Sequence, residues 1–599
     1  MRKRLLFLLV SLVAPLGAQE VLFNHIPDPK AKNRIEAVAL FNRPAPGGFL
    51  PVRITAVNPS EQEGRITIAT ESTDNSYGGR GSELSSSFEL TIPAQKTSIH
   101  DLLVPVTTLL NYSYGGSTNV SISLSGSYGG ATGNLQTTYR ESQPAVLLSE
   151  PLFTPNGSML DSHVGSMGHS GRHFGSETFA GKFDARSLPE DWRAYAGYDG
   201  IGMTDTDWGN ASPGARTAIL RWNRLGGELV IYTLSSSSDM ATLGIAPGGK
   251  GERGGDRSFG HVTLVPIGSD LKLDPATTVD QFHNQSRMTP VNEGIRSDFS
   301  GAWPTKAEFG GQTYNYGLFI LILVGFGVLV GPVNLFVFAK SGRRHRLFIT
   351  TPLIALGTSV VLIALIILID GFGGRGMRTV LMEVRPDDGE NSAYVLQEQV
   401  SRTGVLLGGG FTVTEPAVIT SVPLATSQWS RLTDSNDGGG MRYEEKFADG
   451  KLEVDGDWFQ SRSEQGHFVR AIVPTRGRIE ANGESGGATF LSTFDFPITT
   501  LYYQDNAGTW WKAENIVPGK GFSCSSVPPE EVLAFVGDAS SRLAARSQRV
   551  LSLKKGIGSL HDRKGHFIAF TESAPAIDTL KGIDWTKTRT YITGPVLKP

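Results

Sequence analysis

At 599 residues the chain is too long for one hydrophobic core, so several domains of roughly 100–200 residues each are expected. Lysine and arginine number 55 against 58 acidic residues, a net charge of -3; this leaves no polybasic field for nucleic acid and no acidic tail. The 72 glycines and 32 prolines imply many turns and a strand-rich fold, and the single Cys524 excludes an intramolecular disulfide framework and a cysteine-based zinc finger.

The chain opens on Met1-Arg2-Lys3-Arg4, an apolar run from Leu5 to Val13, and Ala14-Pro15-Leu16-Gly17-Ala18 before Gln19-Glu20. A basic start, a short apolar core and a small residue before a polar stretch read as a secretory signal over 1–18, cleaved after Ala18. That run is too short for the roughly 20 helical residues a bilayer requires.

Residues 19–143 read as an antiparallel β-sandwich. Alternating or β-branched runs at 49–57, 65–70, 88–92 and 120–124 are separated by turns such as Asn75-Ser76-Tyr77-Gly78-Gly79. From Pro144 the rhythm changes, and 144–290 reads as an α/β domain. Short buried strands are expected at 145–148 and 198–204. A helix then starts at Ser212 (N-cap) and Pro213 (first turn), ends at Gly226-Gly227, and is followed by a strand at 228–232.

A linker, 291–315, leads to two uncharged stretches of 23 residues, 316–338 and 347–369, each long enough to cross a bilayer with some tilt. The turn 339–346 carries Lys340, Arg343, Arg344 and Arg346, which favours a helical hairpin with its turn in the cytoplasm. An exported N-terminal region and two crossings return the C-terminal region to the same side. The expected location is the bacterial inner membrane, with both domains in the periplasm. Within the first span, Gly327 and Gly331 form a GxxxG pair, Pro332 should kink the helix, and Asn334 is a polar group seeking a partner.

Residues 370–599 read as a second β-rich region, with strands at 379–384, 468–473, 488–494, 498–503, 509–513, 567–570 and 590–592. Asp505-Asn506-Ala507-Gly508 signals a hairpin, and a helical stretch is expected over 528–553, interrupted at Gly537.

Within the α/β region, Leu188-Pro189-Glu190-Asp191-Trp192, Tyr198-Asp199, Ala218-Ile219-Leu220-Arg221-Trp222 and Gly226-Gly227-Glu228-Leu229-Val230 resemble the class I glutamine-amidotransferase-like fold of bacterial envelope proteins. The resemblance implies a nucleophilic cysteine in the turn after 229–232. Here that turn is Thr233-Leu234-Ser235-Ser236 and the domain holds no cysteine, so binding or scaffolding is the implied role. Gly331-Pro332-Val333-Asn334 with its basic turn also resembles a family of bacterial membrane proteins that pairs exported β and α/β domains with such a hairpin. That family supplies no biochemical role.

Literal motif matches have unsuitable contexts. Gly483-Glu484-Ser485-Gly486-Gly487 fits GxSxG but sits between strand-like segments, not at a strand-to-helix turn. Gly371-Phe372-Gly373-Gly374-Arg375-Gly376 fits GxGxxG but follows a span and opens no helix. Gly244 to Gly251 approaches a phosphate loop without its Ser or Thr. His163, His169 and His173 are the one histidine grouping. They read either as a polar loop or, with 169 and 173 one helical turn apart, as metal ligands. Trp510 and Trp511 fall on opposite strand faces, one for a core and one for a rim.

The sequence therefore points to a non-catalytic inner-membrane protein, without cofactor, nucleotide or nucleic acid. Its exported domains would bind or organise a protein partner or an envelope component, with the lipid bilayer as the other contact. The alternative is an envelope hydrolase or metal-dependent enzyme using the 163–173 histidines.

Overall fold

A computed structural model describes residues 19–597 apart from 28–29, 31, 77–80, 109–115, 140–142, 168–177, 236, 246–250, 284–302, 311–315, 340, 387–390, 423–440, 449, 483–488 and 544–563. The leader 1–18, His169, His173, Lys340 and the GxSxG segment lie outside the described residues.

The N-terminal strands form two layers, as the alternation predicts. Glu20–His25, Arg34–Ala39, Phe49–Asn58 and Lys96–Pro105 make a four-stranded antiparallel sheet. Gly64–Ser76, Ser82–Ile92, Gly116–Gly126 and Ala131–Tyr139 make the second layer. Their inward residues, among them Ile54, Ile68 and Val120, are buried in one cluster.

The second layer does not stop at the N-terminal region. Met441–Ala448, Lys451–Gly456 and Phe411–Val413, all from beyond the two long apolar helices, extend it to seven strands. The join is parallel, with Met441, Arg442, Tyr443 and Glu444 opposite Ser82, Glu83, Leu84 and Ser85. The domain boundaries read from sequence are thus crossed by a shared sheet. Long-range pairing of this kind leaves no local pattern in either partner.

In the α/β region, Ala180–Phe183, Val146–Ser149, Gly200–Thr204, Glu228–Thr233 and Gly260–Pro266 lie side by side and parallel, with Gly254–Arg257 antiparallel at the edge. This is a doubly wound order, with its reversal between Val146–Ser149 and Gly200–Thr204. Pro213–Arg224 covers one face, capped by Ser212 accepting from the Ala215 N–H at 3.1 Å. Glu150–Met167 packs with Pro275–His283 on the other. The first of these two helices is absent from the sequence reading because Pro155 and Gly157 interrupt its helical signal. It is anchored instead by Asn156, whose side chain donates to Leu271 C=O and accepts from Leu273 N–H.

The third part is a sheet of twelve strands, in which Gly374–Arg385 pairs with Ser392–Thr403 and with Ile583–Leu597. Ser392–Thr403 is central yet carries buried Gln397, Glu398 and Gln399. These polar groups are satisfied internally: Gln397 bonds both Ile577 N–H and C=O, and Gln399 donates to Thr579. The hairpin at 505–508 forms as expected, with Asp505 and Thr509 closing it. The following helix is Pro529–Ser541, and Gly537 lies inside it without interrupting it.

Two helices are long and apolar enough to cross a membrane, at Ile320–Phe338 and Arg344–Leu365 by composition. The first is α-helical over Tyr316–Val328 and π-helical over Leu329–Phe338. Pro332 has no N–H to give, and widening the helix is one way to accommodate that. Asn334 is fully buried; it donates to Thr351 at 2.9 Å and accepts from Thr350 at 2.6 Å, both on Leu347–Asp370. A polar group expected to seek a partner therefore finds it in the second helix of the same chain. Arg343, Arg344 and Arg346 are exposed on the connecting turn.

The linker is not free at its end. Trp303 is buried in the C-terminal sheet and opens the short helix Pro304–Phe309. Lys306 and Arg402 both pair with Glu464, while Glu308 takes Arg589 and Lys587. The Arg589 hydrogen bonds hold the Glu308 carboxyl down at about 2.

Candidate functional site

Two places in this architecture qualify as sites. The first is the carboxyl edge of the parallel sheet, where doubly wound folds put ligands. Here the turn after Glu228–Thr233 is tied to the chain itself. Asp205 accepts from Leu234 N–H at 3.1 Å and from Ser238 Oγ at 3.4 Å, and Arg253 donates to Thr233 Oγ1 at 2.8 Å. Ser235 shares a hydrogen bond with Ser237 at 2.7 Å, and no described histidine bonds to either serine. A nucleophile needs an adjacent base to be activated; among the described residues the one carboxylate bonded to this stretch, Asp205, is engaged by the Leu234 N–H and by Ser238, while Ser235 bonds Ser237.

The histidine grouping is only partly described. His163 lies on the helix Glu150–Met167, not on a loop, and its carbonyl accepts from Ser166. Among the described residues no cluster of His, Cys, Asp or Glu could hold a metal ion. Gly483 to Gly487 falls between Ile479–Asn482 and Thr489–Ser492, which pair antiparallel, so its flanks are those of a hairpin. Gly374 opens a strand rather than a helix. Trp510 is core, while Trp511 donates to Asp505 at 2.9 Å on the rim. Cys524 is half-buried, and burial pushes its thiol up to about 12, which keeps it protonated and unreactive.

The second place is a cleft of about 1060 Å³ where the three parts meet. Each part contributes a wall: Arg53, Phe88 and Asp101 from the N-terminal sandwich, Arg186 to Arg193 with Arg221 from the α/β part, and Phe447, Pro416 and Ile472 from beyond the helices. Clefts between domains are where ligands most often bind.

Phe447 is its keystone. The ring stacks on Phe88 at 6.3 Å, meets Phe49 edge-on at 5.7 Å, and carries the Arg193 guanidinium over its face at 5.2 Å. Arg193 is fixed in turn by Asp191, which also caps the turn Trp192–Tyr195. Arg53 and Asp101 pair through two bonds of 2.7 and 2.8 Å on adjacent strands; the Asp101 hydrogen bond raises the arginine above its ordinary value. Glu190 accepts from Ser212, the cap of Pro213–Arg224. The cleft is thus an apolar floor with paired charges around it and the exposed Arg186 at its lip. Sequence reading found the segment 188–192 through a resemblance but not the cleft, because the walls lie far apart in the chain.

A separate cavity of about 30 Å³ sits on the seam between Ser82–Ile92 and Met441–Ala448, room for one water. It is lined by Glu445 and Trp458, whose Oε2 and Nε1 have no protein partner among the described residues. Burial pushes the Glu445 carboxyl up to about 8. The unfolded chain releases this proton near the ordinary 4.5, so stability falls as pH rises from there to about 8 and no further beyond. The slope is about 1.4 kcal/mol per pH unit. Glu445→Gln should remove it. In thermal unfolding of the full chain in detergent, the variant should gain on the parent steadily between pH 5 and pH 8. Parallel profiles would mean that Glu445 is solvated in the folded state.

No family model and no curated protein matches the chain. Among solved structures, an Arabidopsis thaliana protein is similar over 23% of this chain and 89% of its own, at 14% identity and a TM-score of 0.11. A Paenibacillus sp. cycloisomaltooligosaccharide glucanotransferase complexed with cycloisomaltoheptaose is similar over 33% of this chain and 27% of its own, at 13% identity and a TM-score of 0.16. Likenesses this small carry no functional argument.

Proposed function

We propose that this chain is a non-catalytic inner-membrane protein whose exported domains form one body around a membrane hairpin and bind a protein partner or an envelope component. The observation that carries the reading is the cleft, built jointly by segments before and after the hairpin and floored by Phe447. The amidotransferase-like resemblance fits the same role, since the nucleophile's turn holds serines bonded to each other and a backbone bonded to Asp205.

The shared sheet supports the topology. Strands paired through Glu83 and Arg442 must lie in one compartment, so the hairpin between them crosses an even number of times. The signal-like leader and the basic turn favour the exported side for both lobes.

The hairpin offers a second contact surface. A Cβ built on Gly327 or Gly331 meets nothing within 4 Å, so the second helix leaves that groove open to a neighbouring membrane protein. The test is co-purification of the full chain from native membranes, comparing Arg186→Glu and Gly327→Leu with Gly331→Leu against the parent at equal abundance. Loss of a co-purifying component with Arg186→Glu supports the cleft as its site, and loss with the glycine pair supports the groove. An unchanged set with both variants contradicts the proposal.

A further inference from the structure

A single exposed apolar side chain is ordinary, but large ones grouped at one place mark a contact surface. Leu407 is 95% exposed and Phe372 is 65% exposed, and Leu407 comes two positions after Val405, the bridge partner of Phe372. Phe372 bridges Val405, Val405 N–H donates to Gly371 C=O at 3.0 Å, and Gly373 N–H donates to Val405 C=O at 3.2 Å.

Their place in the fold says what covers them. Gly371 directly follows Asp370, the last residue of the helix Leu347–Asp370. The strand Gly374–Arg385 leads away from that helix, and Ser392–Thr403 runs back antiparallel until Thr403 stands opposite Gly374. The chain that continues into Leu407 is therefore heading toward the end of the apolar helix. Leu407 lies two positions beyond Val405, at most about 7 Å of chain. That is comparable to the roughly 5–8 Å of headgroup layer on each side of the hydrocarbon.

The loop is also braced rather than free. Leu406 N–H donates to Ser461 Oγ at 2.9 Å, and Gly409 lies so close to Phe459 C=O that a Cβ would come within 2.5 Å. Leu407 is thus presented outward by a fixed support, and the exposed Arg375 follows Phe372 by three positions, opposite Arg402 on the returning strand.

We propose that Leu407 and Phe372 form a tip that inserts into the bilayer interface beside the second span, setting the C-terminal sheet against the membrane. The proposal rests on the reading of Leu347–Asp370 as a span, and the experiment separates the two. The full chain, with Cys524→Ser, is reconstituted in phosphatidylcholine vesicles carrying spin-label quenchers either near the headgroup or deep in the acyl chains. An environment-sensitive fluorophore is attached at one of three introduced cysteines. Leu356→Cys reports the span. Leu407→Cys reports the tip. Ala507→Cys reports the turn at the opposite end of the same sheet, since Gln504 precedes it on a strand whose partner meets Gly594 rather than Ile583.

The expected result is roughly two-fold loss of emission at 407 with the headgroup quencher, loss at 356 with the deep quencher, and no loss at 507. Quenching at 356 with none at 407 overturns the tip and leaves the span standing. No quenching at 356 overturns the span, and the tip with it.

Discussion

Trp303→Ala should lower the stability of the body formed by the sheets by about 3–5 kcal/mol, the cost of deleting a large buried aromatic side chain. The indole is 1% exposed, donates from Nε1 to Glu398 at 2.8 Å, and packs so closely on the Gly466 backbone that a Cβ there would lie 2.9 Å from the ring. The deletion therefore opens a cavity and removes a donor from a buried carboxylate. Trp303→Phe restores most of the ring without the donor and should lose about 1–3 kcal/mol. Denaturant unfolding of the full chain in detergent, followed by circular dichroism, orders the two variants. A loss below about 1 kcal/mol for Trp303→Ala would mean that the segment before the first long apolar helix is not docked as described. The surrounding ion pairs of Glu308 and Glu464 are partly exposed and contribute less than the indole.

Phe41→Ala should also cost about 3–5 kcal/mol, but at a different seam. The ring is fully buried and touches Phe183, Tyr195 and Tyr198 at centroid distances of 6.4, 5.7 and 5.5 Å. It joins the N-terminal sandwich to the α/β part, and a Cβ on nearby Gly48 would lie 2.3 Å from Gly197 N, so the backbones there already touch. Limited proteolysis should release the two parts from each other in the variant before the C-terminal sheet is lost. Equal resistance of parent and variant would place the coupling elsewhere.

The features legible in the sequence are those written locally. Ser212, Pro213 and Gly226-Gly227 announce a helix and its ends, and the structure has Pro213–Arg224. The alternation in 49–57 announces a strand, and the structure has Phe49–Asn58. What local pattern could not convey is pairing across long stretches of chain. Met441–Ala448 reads as a polar segment because its Arg442, Glu444 and Lys446 face water, yet it completes the N-terminal layer and delivers Phe447 to the cleft. Ser392–Thr403 was hidden by Gln397-Glu398-Gln399, whose partners at Ile577 and Thr579 are some 180 residues away. The cleft inherits this invisibility, since each wall is ordinary in its own segment.

The claim on which the rest depends is that the chain on either side of the hairpin shares one sheet in one compartment. Glu83 and Arg442 are directly opposed and paired at 3.6 Å, Arg442 exposed and Glu83 half-buried. Neighbouring strands lie about 4.8 Å apart, within the range a disulfide spans. The full chain with Glu83→Cys, Arg442→Cys and Cys524→Ser is expressed in membranes and oxidised. Inside-out vesicles are then treated with trypsin, which should reach the exposed Arg343, Arg344 and Arg346 of the turn and little else. The expected result is two halves that stay joined without reductant and separate with it. Halves that separate without reductant, in protein otherwise intact, would contradict the shared sheet.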